Sequence, residues 1–290
     1  EIGSGLVGSE MCIRDSLKTV TVLLSTYNGE KFLEEQLQSL IQQKNVEVRI
    51  LVRDDGSTDG TVSILDRWKN DRLLNWYTGD NVGAGKSFVD LLFKVPQSDY
   101  YAFCDQDDVW LPNKLELSLL KMEQCESIHL DKPIIIHTDM WVVNKDLELI
   151  SDSFWKYSKL RPDILNTFKY LAICNSVNGC TMLLNNAARD IVIQKYFVQS
   201  LVLHDVLVSL IVAYNNGIID YVETPTMLYR QHGSNVVGAR ERGTSFFVRK
   251  FFLLGNTIKN NVHRFQMVNT VGQMSMAAFI YYKVKYFFIR

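Results

Sequence analysis

The chain has 290 residues, of which 47% are hydrophobic, and this length accommodates one large α/β domain with a terminal extension, or two small domains. Its 31 basic and 32 acidic residues give a formal net charge of −1, which argues against a protein that binds nucleic acid through its overall charge. The five cysteines have no CxxC spacing and lie mostly in apolar runs, so we expect reduced thiols in a cytoplasmic protein and no structural zinc site.

Residues 1–17 show no helical or strand periodicity. They also lack the long apolar segment of a secretory signal, and we expect a non-native or disordered leader there. No stretch of the chain reaches 18 uninterrupted apolar residues, so the sequence predicts no membrane-spanning helix.

The next part of the chain alternates between short apolar, β-branched segments and amphipathic segments. This alternation predicts a mostly parallel central sheet flanked by helices, and such sheets bind ligands beyond the carboxyl ends of their strands. The predicted strands lie at residues 19–28, 46–61, 73–77 and 99–105. The range 46–61 also includes the turn that follows the second strand. Helices are predicted after Gly29, from Thr61, after Gly85 and from Pro112.

Beyond Lys132 the alternation becomes less regular. The segment "PIIIHTDMWVVN" is expected to complete the sheet, and the irregular polar and aromatic residues up to Arg161 to form a surface for a second substrate. The segment "LHDVLVSLIVAY" predicts a helix that begins near His204 and Asp205. A further strand and a turn-rich loop follow, and from Thr244 onward the sequence is helical in period and rich in aromatic and basic residues.

Three carboxylates lie within four positions in "FCDQDDVW", at the end of a predicted strand. Because like charges repel, a fold that holds them together commonly supplies a cation. The oxygens of Asp105 and Asp107 would suit Mg²⁺ or Mn²⁺ bridged to a diphosphate. A solvated acidic turn is the alternative.

A second carboxylate pair, Asp54 and Asp55 in "RDDGSTDGT", follows another predicted strand. One of these carboxylates could accept a hydrogen bond from a nucleotide base. The alternative is turn chemistry, in which an aspartate starts the turn and Gly56 supplies a positive φ. Ser25 and Tyr27 likewise either contact a ligand or close the first strand.

The segment "GDNVGAGKSF" invites comparison with a phosphate-binding P-loop, because Gly85, Lys86 and Ser87 match the end of that motif. The first glycine of the motif would fall on Asp80, whose side chain opposes phosphate. A P-loop phosphotransferase is therefore the weakest of the hypotheses that the sequence supports.

Taken in order, "TVLLSTYNGEKFLEEQLQSLIQQ", "RDDGSTDGT", "NVGAGKSF" and "CDQDDVWLPNKL" resemble the inverting family-2 glycosyltransferases of the GT-A fold. The likeness is greatest to bacterial rhamnosyltransferase-like members with a "DQDD" form of the DxD motif. The segments "NGCTMLLN", "LHD" and "YRQHGSN" extend it over about residues 18–238. The resemblance implies a GT-A domain at 18–240 and a C-terminal helical appendage at 241–290.

The resemblance also implies roles for individual residues. Asp205 occupies the position of the catalytic base, although the wider family has a Glu-Asp pair where this chain has His204 and Asp205. The metal-binding positions are Asp107, Asp105 and His232, with hydrogen bonding within its loop as the alternative for His232. The substrate-binding positions are Ser25, Tyr27, Asp54, Asp55, Lys86, Asp105, His204 and Arg230.

The implied activity is metal-dependent, inverting transfer of a sugar from a nucleotide-diphosphate donor, with dTDP-rhamnose as the expected donor. The expected acceptor is a hydroxyl of a growing surface polysaccharide or a lipid-linked glycan. A non-catalytic nucleotide-sugar-binding scaffold of the same fold is the alternative.

The aromatic and basic residues at 246–252 either pack on the domain as a helical cap or lie on an anionic membrane. The second alternative would hold the protein peripherally on the inner face of the cell membrane.

Overall fold

The computed structural model describes residues 17–196, 203–232 and 254–290. In this part of the chain the strands are β1 (Thr19–Thr26), β2 (Glu47–Asp54), β3 (Asn75–Thr78), β4 (Tyr100–Cys104), β5 (Val109–Trp110), β6 (Ile134–Val143), β7 (Leu149–Ser151), β8 (Leu183–Asn185) and β9 (Ile218–Arg230). The helices are α1 (Leu33–Ile41), α2 (Thr61–Asn70), α3 (Ala84–Lys94), α4 (Lys114–Ile128), α5 (Phe154–Tyr157), α6 (Phe168–Leu171), α7 (Asn186–Lys195), α8 (His204–Tyr214), α9 (Leu254–Val271) and α10 (Met276–Ile289). A short 3₁₀ turn, Gly179–Thr181, precedes β8.

The strands form one mixed sheet in the order β3-β2-β1-β4-β8-β6-β9-β5, with β7 paired to β6. The long pairings are parallel: β1 lies between β2 and β4, β3 flanks β2, and β6 runs beside β9. The antiparallel pairings of β8 with β4 and β6, and of β5 with β9, are short. The predicted α/β class and the mostly parallel sheet are confirmed.

Apolar side chains on the two faces of the sheet form two separate hydrophobic clusters. In β1, Val22 and Leu24 point into the cluster that α1 covers, and Leu23 points into the cluster that α3 and α8 cover. Successive side chains of a strand point to opposite faces, so a strand buried on both faces reads as a continuous apolar run. This is why Val22, Leu23 and Leu24 form a continuous apolar run.

The element boundaries differ from the sequence prediction where tertiary contacts intervene. Helix α4 begins at Lys114 and not at Pro112, because the Pro112 carbonyl accepts a hydrogen bond from the Lys44 N–H at 2.9 Å. Helix α1 begins at Leu33, because a turn at Gly29 comes first, in which the Gly29 carbonyl accepts the Phe32 and Leu33 N–H groups at 3.0 Å.

The C-terminal helices pack on the domain. Met267 and Val268 of α9, and Phe279 and Tyr286 of α10, are buried in the cluster that α8 also lines. The Arg264 guanidinium donates hydrogen bonds of 2.7 Å to the carbonyls of Leu171 and Ala172 at the end of α6. The aromatic and basic segment at 246–252 lies outside the described residues. None of the helices in the described ranges combines the length and the hydropathy that crossing a bilayer requires.

Candidate active site at the carboxyl edge of the sheet

The predicted site residues gather at one edge of the sheet. Strands β2, β1 and β4 are parallel neighbours, so their carboxyl ends at Asp54, Thr26 and Cys104 lie side by side. Gln106 links the loops that follow two of these strands. Its Oε1 accepts a hydrogen bond from the Tyr27 N–H at 2.8 Å, and its Nε2 donates to the Tyr27 carbonyl at 3.0 Å. The DQDD turn (residues 105–108) is thereby held against the end of β1.

Asp54 organises the turn that follows β2. Its Oδ1 accepts hydrogen bonds from the hydroxyls of Thr26 (3.0 Å) and Ser57 (2.6 Å). Its Oδ2 accepts the N–H groups of Gly56 (3.2 Å) and Ser57 (2.9 Å). Gly56 has a φ of 83°, a conformation that glycine adopts at little cost. These contacts favour the turn interpretation for Asp54, and substrate binding by this residue stays a prediction.

Asp55 holds the loop that precedes α3. Its buried carboxylate forms an ion pair with Arg53 and accepts hydrogen bonds from the N–H groups of Val82 (3.0 Å) and Gly83 (2.8 Å). A P-loop would need such N–H groups for phosphate. Because two of them bind a protein carboxylate instead, this geometry argues against the P-loop hypothesis.

Three predicted donor-binding residues lie at the end of β1 and the start of α3. The Ser25 hydroxyl donates to the Ser87 hydroxyl at 2.6 Å, which joins the end of β1 to the first turns of α3. Tyr27 has 47% of its side chain exposed, and Lys86 is also exposed. These side chains are accessible to a ligand at the same edge.

The DQDD turn divides its carboxylates between two environments. Ligand atoms of Asp105, Asp108 and Cys180 all lie within 4.8 Å of one another, which makes this group a candidate cation site among the described residues. Burial, together with repulsion from Asp107 and Asp205, raises the pKa of Asp105 to about 7. Asp108 is fully buried, its Oδ1 accepts the Arg230 N–H at 3.1 Å, and burial raises its pKa well above the ordinary value.

Asp107 faces His232, and metal binding by this pair stays a prediction. The Asp107 Oδ2 and His232 Nε2 atoms lie 2.7 Å apart. Arg230 supports this arrangement, since its Nε donates to the Asp107 carbonyl at 2.8 Å and its guanidinium pairs with Glu35. The same guanidinium lies 4.6 Å from the centre of the Phe32 ring. Substrate binding by Arg230 stays a prediction, because the contacts that the structure describes are with protein groups.

Lys114 and Cys180 are site residues that the sequence reasoning missed. The Lys114 ammonium is buried, lies 4.7 Å from the centre of the Trp110 ring, and donates no hydrogen bond to the described residues. Burial lowers its pKa to about 8, against the opposing influence of Cys180, Cys104 and Asp108. The sequence did not indicate that the lysine of "DVWLPNKL" is buried, because a lysine at the start of an amphipathic helix is ordinarily exposed.

The donor atoms at this edge fit a hard divalent cation. Carboxylate oxygens are the ligands that Mg²⁺ and Mn²⁺ prefer, and Asp108 Oδ2 is a buried acceptor to which no described residue donates. Cys180 does not suit such an ion, because its sulfur is soft and burial raises the thiol pKa well above the ordinary value. The carboxylates of the turn therefore suit such a cation better than the thiol does. Among the described residues His232 contacts Asp107 and does not belong to the cluster of Asp105, Asp108 and Cys180, so metal binding by His232 stays a prediction.

Asp205 lies in the first turn of α8. The Val206 N–H donates to its Oδ1 at 2.6 Å, and burial raises the pKa of the carboxyl to about 6. The charge of Asp205 is one of the causes of the raised pKa of Asp105. The 3₁₀ turn connects the two residues, because its Gly179 lies against His204 and the sulfur of its Cys180 lies within 4.8 Å of an Asp105 oxygen. The role of Asp205 as base stays a prediction.

His204 is a packing residue in this structure. Its ring centre lies 4.1 Å from that of Phe88 and 4.9 Å from that of Phe103, and burial lowers its pKa to about 3. A Cβ atom on Gly179 would lie 2.2 Å from His204 Nε2, so only glycine fits there. A neutral, buried ring between two aromatic rings favours packing, and substrate binding by His204 stays a prediction.

Comparison with known proteins agrees with this geometry. Residues 21–191 match the family model for glycosyl transferase family 2. The chain is 28% identical over 274 residues to dTDP-rhamnosyl transferase RfbG of Shigella flexneri, which covers 89% of this chain and 86% of that protein. The chain therefore belongs to glycosyl transferase family 2 and is a glycosyltransferase. This result excludes the P-loop phosphotransferase and favours an enzyme over the non-catalytic scaffold.

Solved structures show the same fold. S. aureus TarS in complex with UDP-GlcNAc matches with a TM-score of 0.57 at 20% identity, over 75% of this chain and 60% of that chain. The mannosyltransferase PcManGT from Pyrobaculum calidifontis, in complex with GDP-Man and Mn²⁺, matches with a TM-score of 0.53 at 16% identity, over 74% of this chain and 58% of that chain. The chain thus spans somewhat more than half the length of either structure. The likeness shows that this chain has the GT-A fold that its sequence motifs predicted.

Proposed function

We propose that this protein transfers a sugar from a nucleotide-diphosphate donor to an acceptor hydroxyl with inversion at the anomeric carbon, in a metal-dependent reaction. The observation that carries the proposal is the 3₁₀ turn beside the acidic turn, because its Gly179 lies against His204, next to Asp205, and its Cys180 sulfur lies within 4.8 Å of Asp105. Burial also raises the pKa of the Asp205 carboxyl to about 6. The similarity to RfbG over most of both chains supports dTDP-rhamnose as the donor.

The nucleoside part of the donor would bind between β1 and α3. Tyr27 offers an exposed ring for stacking, Ser25 a hydroxyl, and Lys86 an exposed point charge for a phosphate or base. Asp55 would act by holding the loop beside the nucleoside, because its buried carboxylate is already bound to Arg53 and to two N–H groups of that loop. A direct hydrogen bond from a base N–H to Asp55 stays a prediction. The absence of a Walker loop is no obstacle, because a nucleotide-sugar can be bound by side chains together with a cation.

Asp107, Asp105 and His232 would hold the divalent cation, either Mg²⁺ or Mn²⁺. The contact between Asp107 and His232 supports this set, and a nitrogen ligand favours Mn²⁺ over Mg²⁺. When bound, the cation neutralises the negative charge that develops on the departing diphosphate. Arg230 keeps the turn in position through the Asp107 carbonyl.

Asp205 would act as the general base. Its carboxylate takes the proton of the acceptor hydroxyl while the acceptor oxygen forms its bond to the anomeric carbon. The bond from that carbon to the diphosphate oxygen breaks on the opposite face, and its electron pair leaves with the nucleoside diphosphate. Attack opposite to the leaving group inverts the anomeric centre, and the reaction needs no protein nucleophile.

The acceptor would be a growing surface polysaccharide or a lipid-linked glycan, and the protein would then work on the inner face of the cell membrane. A donor screen tests the proposal. We expect dTDP and dTDP-rhamnose to raise the melting temperature with Mn²⁺ and much less with EDTA, since ligands that bind only the native state stabilise it. Stabilisation by dTDP-rhamnose without any sugar transfer to a panel of glycan acceptors would instead support a scaffold.

A further inference from the structure

The outward face of α10 is apolar. Its exposed large side chains are Met276, Ile280, Tyr281, Val284, Phe287, Phe288 and Ile289. At 3.6 residues per turn all of these positions except Ile289 fall within one arc of about 140°. Phe288 alone has 78% of its side chain exposed. The opposite side carries Phe279 and Tyr286, which are buried against the domain. The helix is therefore apolar both towards the protein and towards the solvent.

Cations border this apolar arc on both sides. Lys285 lies beyond one edge of the arc, and Lys283 and Arg290 lie beyond the other. The helix contains no aspartate or glutamate. Lysine and arginine side chains at such positions can bury their apolar stems while their charges reach a polar layer. At the end of the helix Arg161, which donates to the Ile289 carbonyl, is paired with Asp163, and the Lys283 ammonium donates to Asn261 of α9. The face therefore combines an apolar surface with a mainly positive border.

This combination favours an anionic lipid surface over a second copy of the chain. Self-association through α10 would bring two positive borders together, and like charges across an interface oppose association. An anionic membrane offers both complements, acyl chains for the arc and phosphate groups for the border. The helix has 14 residues, about 21 Å in length, so it would lie in the plane of the interface and not cross the bilayer.

We propose that α10 docks the protein on an anionic lipid membrane, with the apolar arc at the boundary of the acyl chains. The proposal rests on the proposed function for its purpose, which is to hold the site near a lipid-linked acceptor. It is independent of the segment at 246–252, because every contact used lies in α10.

Vesicle co-sedimentation tests the docking surface. We expect the full-length protein to pellet with vesicles of phosphatidylglycerol and phosphatidylethanolamine, and about tenfold more weakly with pure phosphatidylcholine. The variant Ile280→Ser/Phe288→Ser should bind the anionic vesicles at least about tenfold more weakly, because it removes two large side chains from the arc. The matched control is Ile128→Ser/Leu130→Ser, which changes two exposed apolar residues at the end of α4 and should bind like the wild type.

A second pair of measurements separates this proposal from its alternatives. Failure of the wild type to pellet with anionic vesicles, or wild-type binding by Ile280→Ser/Phe288→Ser, would overturn it. A dimer in sedimentation velocity that the same variant dissociates would assign the face to a second copy and also overturn it. Binding of dTDP with Mn²⁺, measured on each variant, should be unchanged, so failure of the proposed function would show as lost nucleotide binding and not as lost sedimentation.

Discussion

Asp205 is a carboxylate whose surroundings suit a general base. Replacing it by asparagine keeps the shape and the hydrogen bond from Val206 N–H but removes the proton acceptor. We expect Asp205→Asn to lower kcat by about 10²- to 10⁴-fold while dTDP-rhamnose binding is retained. A transfer assay together with donor titration checks this. The control is Asp190→Asn on the exposed side of α7, and a variant Asp205→Asn with wild-type kcat would exclude the base role.

The raised pKa of Asp205 predicts the pH dependence of transfer. A base must be deprotonated, and burial moves the carboxyl pKa up to about 6, so the rate should fall about tenfold per unit as the pH drops below 6. The measurement is kcat/KM for the acceptor from pH 4.5 to 8 at saturating donor, with circular dichroism to confirm that the protein remains folded. A flat profile down to pH 4.5 would contradict the assignment.

His232 offers a separate test of the metal set. Because its Nε2 faces Asp107 at 2.7 Å, we expect His232→Ala to raise the Mn²⁺ concentration needed for half-maximal transfer by about tenfold or more. The preference for Mn²⁺ over Mg²⁺ should also shrink, because a nitrogen ligand is lost. The half-buried His129, which follows α4, provides the control variant His129→Ala. An unchanged Mn²⁺ requirement would place His232 outside the metal site.

At this scale the sequence predicts the residue types better than their roles. Asp105 and Asp107 could be proposed as site residues because their motif follows a predicted strand, and Asp205 because its segment resembles that of family-2 glycosyltransferases. Asp54 and Asp55 could not be told apart, since adjacent side chains at a strand end point in different directions that only the turn defines. Lys114 and Cys180 could not be found, because their burial depends on contacts between distant segments.

Among the elements, the 3₁₀ turn at Gly179–Thr181 sets the position of α8. A side chain at Gly179 would clash with the His204 ring, so we expect Gly179→Ala to shift the first turn of α8 and with it Asp205. A displacement of about 1 Å can lower a rate by about 10²-fold. The transfer rate is the measurement, and the double variant Gly179→Ala/His204→Ala should recover part of it because the clash is removed. Wild-type transfer by Gly179→Ala would show that the contact is unimportant.

The order of the strands and helices could be predicted because apolar periodicity is local. Their ends could not, since they depend on partners elsewhere in the chain. The hydrogen bond from the Lys44 N–H to the Pro112 carbonyl moves the start of α4 to Lys114. Nothing in the sequence indicates that these two residues are in contact. The antiparallel position of β8 between β4 and β6 could not be predicted either, because "LLN" is too short to show a strand periodicity.

For the molecule as a whole, Arg264 connects the C-terminal helices to the domain. Its guanidinium bonds the carbonyls of Leu171 and Ala172, and its charge lowers the pKa of Asp205 against the effect of burial. Arg264→Met leaves these carbonyls unpaired, so the free energy of unfolding should fall by about 2 kcal/mol. The fall of the transfer rate at acidic pH should begin at a higher pH, because the loss of a cation near Asp205 raises the pKa of its carboxyl. Denaturant unfolding and the pH profile check both effects.

The control for Arg264→Met is Arg49→Met, which removes an exposed arginine on β2 and should change neither quantity. If Arg264→Met had wild-type stability and an unshifted pH profile, the C-terminal helices would be an independent appendage. The sequence indicated a helical tail and left its packing open, since an apolar stripe alone does not identify the surface that it contacts.

The central claim is that the DQDD turn holds a divalent cation that binds the diphosphate of the donor. Titration calorimetry of dTDP tests it most directly, with Mn²⁺ and with EDTA, on the wild type and on Asp107→Ala. We predict that dTDP binds the wild type at least about tenfold more tightly with Mn²⁺, and that Asp107→Ala removes this difference. Equal affinity with Mn²⁺ and with EDTA, or an unchanged Mn²⁺ effect in Asp107→Ala, would contradict the claim.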